Sequence, residues 1–273
     1  SEGNYLLVDR VTISGQEKEA ILEYVEKSCD ETGYASLTDI PLGCIQDNNG
    51  FVSGNALYAA IYNKILSGKY RNNGKILTTG DSTINIVSLL SREFCDREEI
   101  TFDEVNNRVT ELNGGTKRQD SFEILYNNFV RVSEECFVAS KKLHFDVEEI
   151  DQVLSDIYHD GFGAIKDVTT FAMFPVCGTT WNHYVLESYC YRYSQKYYLS
   201  ILNFNSKNAG IIGEKKSGYS YDQMLAMALA KASVDLNETD AGEYLFQRGM
   251  MAKRKYAKLG EIINEAERIR KEN

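Results

Sequence analysis

The feature that most constrains this 273-residue chain is an internal repeat, because a repeated supersecondary unit buries its apolar face against its neighbours and so dictates the architecture. Three segments, spaced roughly 60 to 70 residues apart, run in one order: an amphipathic helix, a short strand-like stretch entering a second helix, a third helix rich in aromatics, and a two-stranded hairpin. In the first segment Ile21, Leu22 and Val25, with Tyr24 beside them, recur at helical spacing over Glu17 to Cys29. Tyr34 to Ile40 reads as a strand entering a short helix that Pro41 starts or interrupts, within a stretch from Thr32 to Phe51 that is long and loop-like. Ser53 caps a third helix running from Ala56 to Leu66, and Gly68 stops it. Asn73-Gly74 between strand-like runs predicts a type I′ hairpin turn with positive φ at both residues.

The second segment places Ile84, Val87, Leu90 and Phe94 on its first helix. Thr101 and Glu104 have capping-box spacing, which starts its second helix there, and Gly114-Gly115 ends it. Ser121 to Phe129 forms the third helix, and Val130 to Val132 pairs with Cys136 to Ala139 across Ser133-Glu134-Glu135. In the third segment Asp146 caps a helix bearing Val147, Ile150, Val153, Leu154 and Ile157, and Gly163 to Val168 echoes the strand-into-helix step. Trp181 to Gln195 reads as the third helix, and Tyr197 to Phe204 pairs with Gly210 to Glu214 across Asn205 to Ala209. From Tyr219 to Asn273 the chain reads as helical, with Met224, Leu225, Ala228 and Leu229 on one apolar stripe and Tyr244 and Leu245 on another. These helices pack back on the array or pair two chains as a homodimer.

Helix, strand, helix, helix, hairpin resembles the winged helix-turn-helix family over roughly residues 14 to 216. The fold class expected is mainly α with short β hairpins (α+β): winged-helix-like units at 1–81, 82–143 and 144–218, then a helical region at 219–273. The resemblance implies that the third helix of a unit enters a major groove while its wing touches phosphates. In the first unit Asn63 and Lys64 would then meet base edges, and Lys69, Arg71 and Lys75 would meet phosphates. The corresponding residues of the other units are Lys117, Arg118 and Arg131, then Arg192, Lys196 and Lys207.

A net charge of −10 argues against a nucleic-acid partner until the charge is located. Asn48 to Gly80 carries +4 with no acidic residue, Gly114 to Lys142 carries +1 and Gly178 to Gly218 carries +3, leaving −18 elsewhere. Cationic helix-and-wing segments on an acidic body are what a charge-segregated nucleic-acid binder presents. A second basic run, Arg248, Lys253, Arg254, Lys255 and Lys258, reads as a solvated helix face or as a contact for nucleic acid or an acidic partner.

Signs of catalysis are weak. Gly68 to Lys75 fails as a phosphate loop, because five residues separate its glycines and Ile76 stands where a Mg-binding Ser or Thr is needed. Cys177 and His183 have the residue types of a thiol nucleophile and base, but no third orienting group accompanies them, and the reading favoured is a buried thiol. His144, His159 and His183 are too scattered for a metal site, and Glu98-Glu99 and Glu148-Glu149 suit helix starts. No cofactor is implied. Tyr184, Tyr189, Tyr191, Tyr193, Tyr197 and Tyr198 suggest a stacking platform, of which alternation buries about half, and Trp181 reads as a buried anchor. Six cysteines without a C-x-x-C pair favour a reducing cytoplasm over a disulfide scaffold. No apolar run approaches the about 18 residues that cross a bilayer. Ser-Glu-Gly at the start, without an initiator Met or signal peptide, suggests an excised part of a longer polypeptide.

The expectation is therefore a non-catalytic, cytoplasmic nucleic-acid-binding or regulatory module acting on duplex DNA. The alternatives are a protein-interaction array and an enzyme whose site forms between repeats.

Overall fold

A computed structural model describes residues 8–50, 53–80, 86–113, 118–201 and 207–272. The fold is mainly helical with three small antiparallel sheets, each of three strands. Contacts divide the chain into two compact units, Ser1–Glu93 with Asp103–Ser121 and Phe94–Phe102 with Phe122–Asn273.

In the first unit, α1 (Gly15–Thr32) begins at a capping box, Ser14 accepting from the Glu17 amide while Glu17 reaches back to the Ser14 amide. Its Ile21, Val25 and Cys29 face the core. After β1 (Ala35–Ser36) and one 3-10 turn comes α2 (Gly43–Asn48), only six residues long and starting just after Pro41. The helix α3 (Gly54–Ile61) is capped by Ser53 as its sequence predicts, and continues through Tyr62–Leu66 as a π-helical turn closed by the Ser67 amide on the Tyr62 carbonyl. Then β2 (Tyr70–Asn73) and β3 (Ile76–Thr79) form a hairpin, with β3 in the centre of the order β1-β3-β2. Val25, Leu37, Leu57, Ile61, Leu66 and Leu77 close the core between helices and sheet.

The hairpin stands, but its turn differs from the one expected. Asn73 pairs with Ile76, so the loop is Gly74-Lys75, and only Gly74 has positive φ, at 67°. Glycine first in a two-residue loop is the type II′ arrangement. The register is set from the other side of β3, where Ile76 and Leu77 pair with Ser36 and Ala35 and are buried. Gly74→Val should cost about 2 kcal/mol, because a β-branched residue at that φ is strained. A urea midpoint unchanged from wild type would contradict the turn geometry.

Two further helices belong to this unit, α4 (Ile86–Glu93) and most of α5 (Phe102–Asn113), separated in sequence by β4 (Glu99–Thr101). The α5 helix starts one residue after Thr101, where the cap is expected, and Val87, Leu90, Val105, Val109 and Leu112 are buried. Ile84 and Gly114-Gly115 lie outside the described residues. Arg108 ties these helices to the first sheet's turn. Its guanidinium bonds Glu93 at 3.0 Å, Glu111 at 2.9 Å and Asp39 at 3.2 and 3.3 Å, and Tyr34 donates to the far oxygen of Glu93.

The second unit holds the other two sheets. After α6 (Arg118–Asn128), β5 (Phe129–Arg131) and β6 (Cys136–Ala139) give the order β4-β6-β5. Thus the first two helices of the middle repeat fall largely in one unit, and most of its third helix falls with its sheet in the other. Next, α7 (Val147–Ile157) starts at the Asp146 cap, and β7 (Phe162–Ala164) enters a single 3-10 turn, Ile165–Asp167. No helix follows until α8 (His183–Arg192); residues 168–182 are a loop whose Phe171, Phe174 and Trp181 fill the place beside the core. The helix start predicted at Trp181 is corrected to His183, since the Asn182 side chain accepts from the Tyr184 and Val185 amides. Trp181 is an anchor, its indole N–H on the Pro175 carbonyl at 2.6 Å.

β8 (Tyr197–Ile201) and β9 (Gly210–Glu214) complete the order β7-β9-β8; the expected turn lies partly outside the described residues. The last three helices are α9 (Tyr221–Lys231), α10 (Glu238–Gln247) and α11 (Leu259–Glu272), with loops at 232–237 and 248–258 rather than continuous helix. Met224, Leu225, Leu229, Leu245, Ile262 and Ile263 join Ala164 and Ile211 of the third sheet in one core, so the first predicted apolar stripe is buried within this unit, and of the second Leu245 is buried while Tyr244 is half-buried against it. Among the described residues no helix is long and apolar enough to cross a membrane.

Candidate nucleic-acid interface

The three repeats treat their third helix differently. Along α3 and its π turn, Leu57, Ala60, Ile61 and Leu66 point into the core, while Asn55, Ala59 and Asn63 form an exposed stripe at four-residue spacing. Lys64 and Ser67 flank it, also exposed. The Asn63 amide donates to the Ala59 carbonyl at 2.9 Å and Lys64 Nζ to the Val11 carbonyl at 2.7 Å, contacts that steady the two polar side chains on the surface.

The adjoining hairpin supplies cations. Lys69 pairs with Glu26 of α1 at 2.7 Å, and that bond raises its pKa above the ordinary lysine value. Arg71 is exposed on β2. Lys75 is half-buried with its ammonium 5.7 Å from the Tyr58 ring centre, within cation–π range. Its backbone is pinned on both sides, the amide on the Leu112 carbonyl at 2.9 Å and the carbonyl accepting from the Leu37 amide at 2.8 Å. The loop tip is thus fixed. Helix stripe and hairpin contain no carboxylate anywhere from Asn48 to Gly80.

In the middle repeat, Lys117 and the side chain of Arg118 lie outside the described residues, and the exposed face of α6 includes Glu123. Arg131, expected at the nucleic acid, is not there. Its side chain is 3% exposed and lies 3.3 Å from Glu187, with the guanidinium 4.6 Å over the Tyr184 ring and bonded to the Ser133 and Glu134 carbonyls. Tyr126 donates a short bond to the same Glu187 oxygen, and the Arg131 amide donates to Ser188 Oγ at 2.9 Å. Burial raises the Glu187 carboxyl above the usual range, the Arg131 charge and the Tyr126 bond pulling the other way. The physical reason for the correction is that β5 packs against α8, which takes the arginine out of water.

The same packing removes α8 from any groove. Val185 through Cys190 are six consecutive buried residues, so this helix is covered on both faces: Leu186, Tyr189 and Cys190 by their own core, Val185 by Val130 and Cys177. Around it Arg192 bonds Ser140 Oγ at 3.0 Å, Lys196 bonds Ser155 Oγ at 2.7 Å with Glu214 at 3.7 Å, and Lys207 stands 3.8 Å from Glu134. These three cations remain on the surface, but of α8 only Tyr191 and Arg192, in its last turn, are exposed. Asp151 ties this corner together, accepting from Tyr189, Ser194 and the amides of Gln195 and Lys196.

The tyrosine run splits as alternation demands: Tyr189 and Tyr197 are core, Tyr191 is exposed, and Tyr184, Tyr193 and Tyr198 are half-buried. Cys177 is buried with its thiol toward the Thr179 carbonyl and its pKa raised by burial, whereas His183 bonds the Val168 carbonyl. Sequence reasoning missed Glu187 and Arg108. A signal for the first exists, one acid inside Tyr184 to Cys190 and one base inside Phe129 to Val132, each in an otherwise uncharged run. No family model matches the chain, and no curated protein or solved structure matches it.

Proposed function

We propose that residues 14–80 are a winged-helix module that binds nucleic acid, and that the two later repeats are winged-helix relatives. The carrying observation is a surface on which Asn55, Asn63 and Lys64 of the third helix and Lys69, Arg71 and Lys75 of the hairpin come from a stretch without carboxylates, with Glu26 of α1 paired to Lys69. Asparagine amides suit base edges, adenine above all, and the hairpin cations suit phosphates. The proposed setting is the cytoplasm, and the proposed role is non-catalytic binding or regulation of duplex DNA.

Fluorescence anisotropy with labelled duplex, from low to physiological salt, tests this. Replacing Lys69, Arg71 and Lys75 together by glutamine should weaken binding on every sequence and flatten log K against log salt by about 0.9 for each phosphate no longer neutralised. Asn63→Ala should change sequence preference more than affinity. Absence of binding at the lowest salt, or identical slopes in wild type and triple variant, rejects the proposal. The second reading, a protein-docking module, is favoured by one feature: Val168 to Leu186 carries no Asp, Glu, Lys or Arg, and its loop exposes Met173 and Val176.

A further inference from the structure

The basic run at the C-terminal end of the second unit is not a helix face. It occupies the loop 248–258, and that loop is held rigidly: Met250 and Met251 are buried at 3% and 1% exposure, Tyr221 donates to the Met250 carbonyl at 2.7 Å, and Tyr256 donates to Asp222 at 2.9 Å. Three of its cations are matched by acids of the same unit, Arg248 by Asp167 at 2.9 Å, Lys258 by Asp222 at 3.1 Å, and Arg254 by Glu243. The guanidinium of Arg254 also lies 4.3 Å from the Phe246 ring centre. Lys253 and Lys255, on either side of it, are exposed and have no ion pair or hydrogen bond among the described residues.

A third cation without a partner among the described residues joins them. Lys166, on the 3-10 turn after β7, lays its stem across Gly249, where a Cβ would stand 2.7 Å from Lys166 Cδ. Gly249 has a φ of 72°, so both the turn and the close approach require glycine. The geometry therefore collects cations on one loop and its neighbour, where Asp167, Asp222 and Glu243 are engaged by Arg248, Lys258 and Arg254, and Glu261 lies near Lys258.

We infer that Lys166, Lys253 and Lys255 form a second, sequence-independent contact for the phosphate backbone of nucleic acid. The inference rests on the nucleic-acid reading above but concerns a different surface, in the other compact unit. An acidic protein is the less suitable occupant. Protein interfaces are anchored by buried apolar side chains, and none of the large exposed apolar residues, Met173, Val176, Tyr191 and Tyr219, belongs to this loop. Exposed lysines on a loop without a large exposed apolar side chain suit phosphates, which attract cations whatever the base sequence.

The test uses the full chain and the same labelled duplex. In the Lys166→Gln, Lys253→Gln, Lys255→Gln variant the salt slope should fall by about 2 to 3, and affinity near 0.1 M salt should drop at least tenfold on unrelated sequences alike. The Lys253→Gln, Lys255→Gln double variant spares the packing on Gly249, and should lower the slope by about 1.8 with an unchanged melting curve. A loop variant with the wild-type slope, when the hairpin variant shows its own reduced slope, overturns this contact and leaves the module proposal standing. Absence of duplex binding by wild type overturns both. Binding of a labelled polyglutamate peptide as tight as that of duplex, abolished in the double variant, reassigns the loop to protein docking and overturns the inference.

Discussion

Replacing Arg131 with methionine should destabilise the second unit by about 3 to 5 kcal/mol, because it leaves Glu187 buried without its compensating charge. Arg131 and Glu187 are 3% and 4% exposed, and neither can recover water without unpacking β5 from α8. The cost should be greatest at neutral pH. Burial already raises the Glu187 carboxyl, and losing the arginine raises it further. Above the ordinary glutamate range the folded state then holds a proton that the unfolded state releases, so the unfolding free energy falls as pH rises. Lowering the pH towards 5 should return part of the lost stability. The Arg131→Met, Glu187→Leu double variant should recover at least half of the deficit, since an apolar pair removes both desolvated charges together. Trp181, the one tryptophan of the chain, lies in this unit and reports its urea transition. A single variant that melts like wild type, or a double variant worse than the sum of its parts, contradicts the assignment.

A second large effect is expected at Arg108, which is 18% exposed and bonded to Asp39, Glu93 and Glu111. Arg108→Met should cost the first unit about 2 to 3 kcal/mol, below the fully buried case because some water remains, but above an exposed pair. Three carboxylates are then left facing one another. Their repulsion is screened by salt, so the deficit should shrink between about 0.05 and 1 M salt, while wild type responds less. Arg108→Lys keeps the charge without the planar fork, and should fall between the two. Circular dichroism melts at the two salt concentrations decide this; a deficit independent of salt would point to impaired packing instead.

Elements whose signals are local were readable without coordinates. Ser53 and Asp146 cap the helices expected of them, because a cap is decided by a side chain and amides three residues away. The hairpin after α3 was readable from Asn73-Gly74, yet its turn sits one residue later. A turn dipeptide states a preference, whereas pairing of β3 with β1 on its far side sets the register. Likewise the apolar stripes of α9 and α10 announced burial without saying against what.

The amino-acid sequence by itself determined the three hairpins, the helices capped by Ser53 and Asp146, the mainly helical α+β class, and the concentration of positive charge from Asn48 to Gly80. Each of these follows from periodicity, caps and composition within a few residues. Only the tertiary structure decided which third helix keeps an open face and which cations are spent internally. Arg131 and Glu187 lie 56 positions apart, and nothing in either run specifies the other. Packing α8 against β5 brought them together, took both out of water, and left α3 as the third helix with an exposed polar stripe free of acid among the described residues.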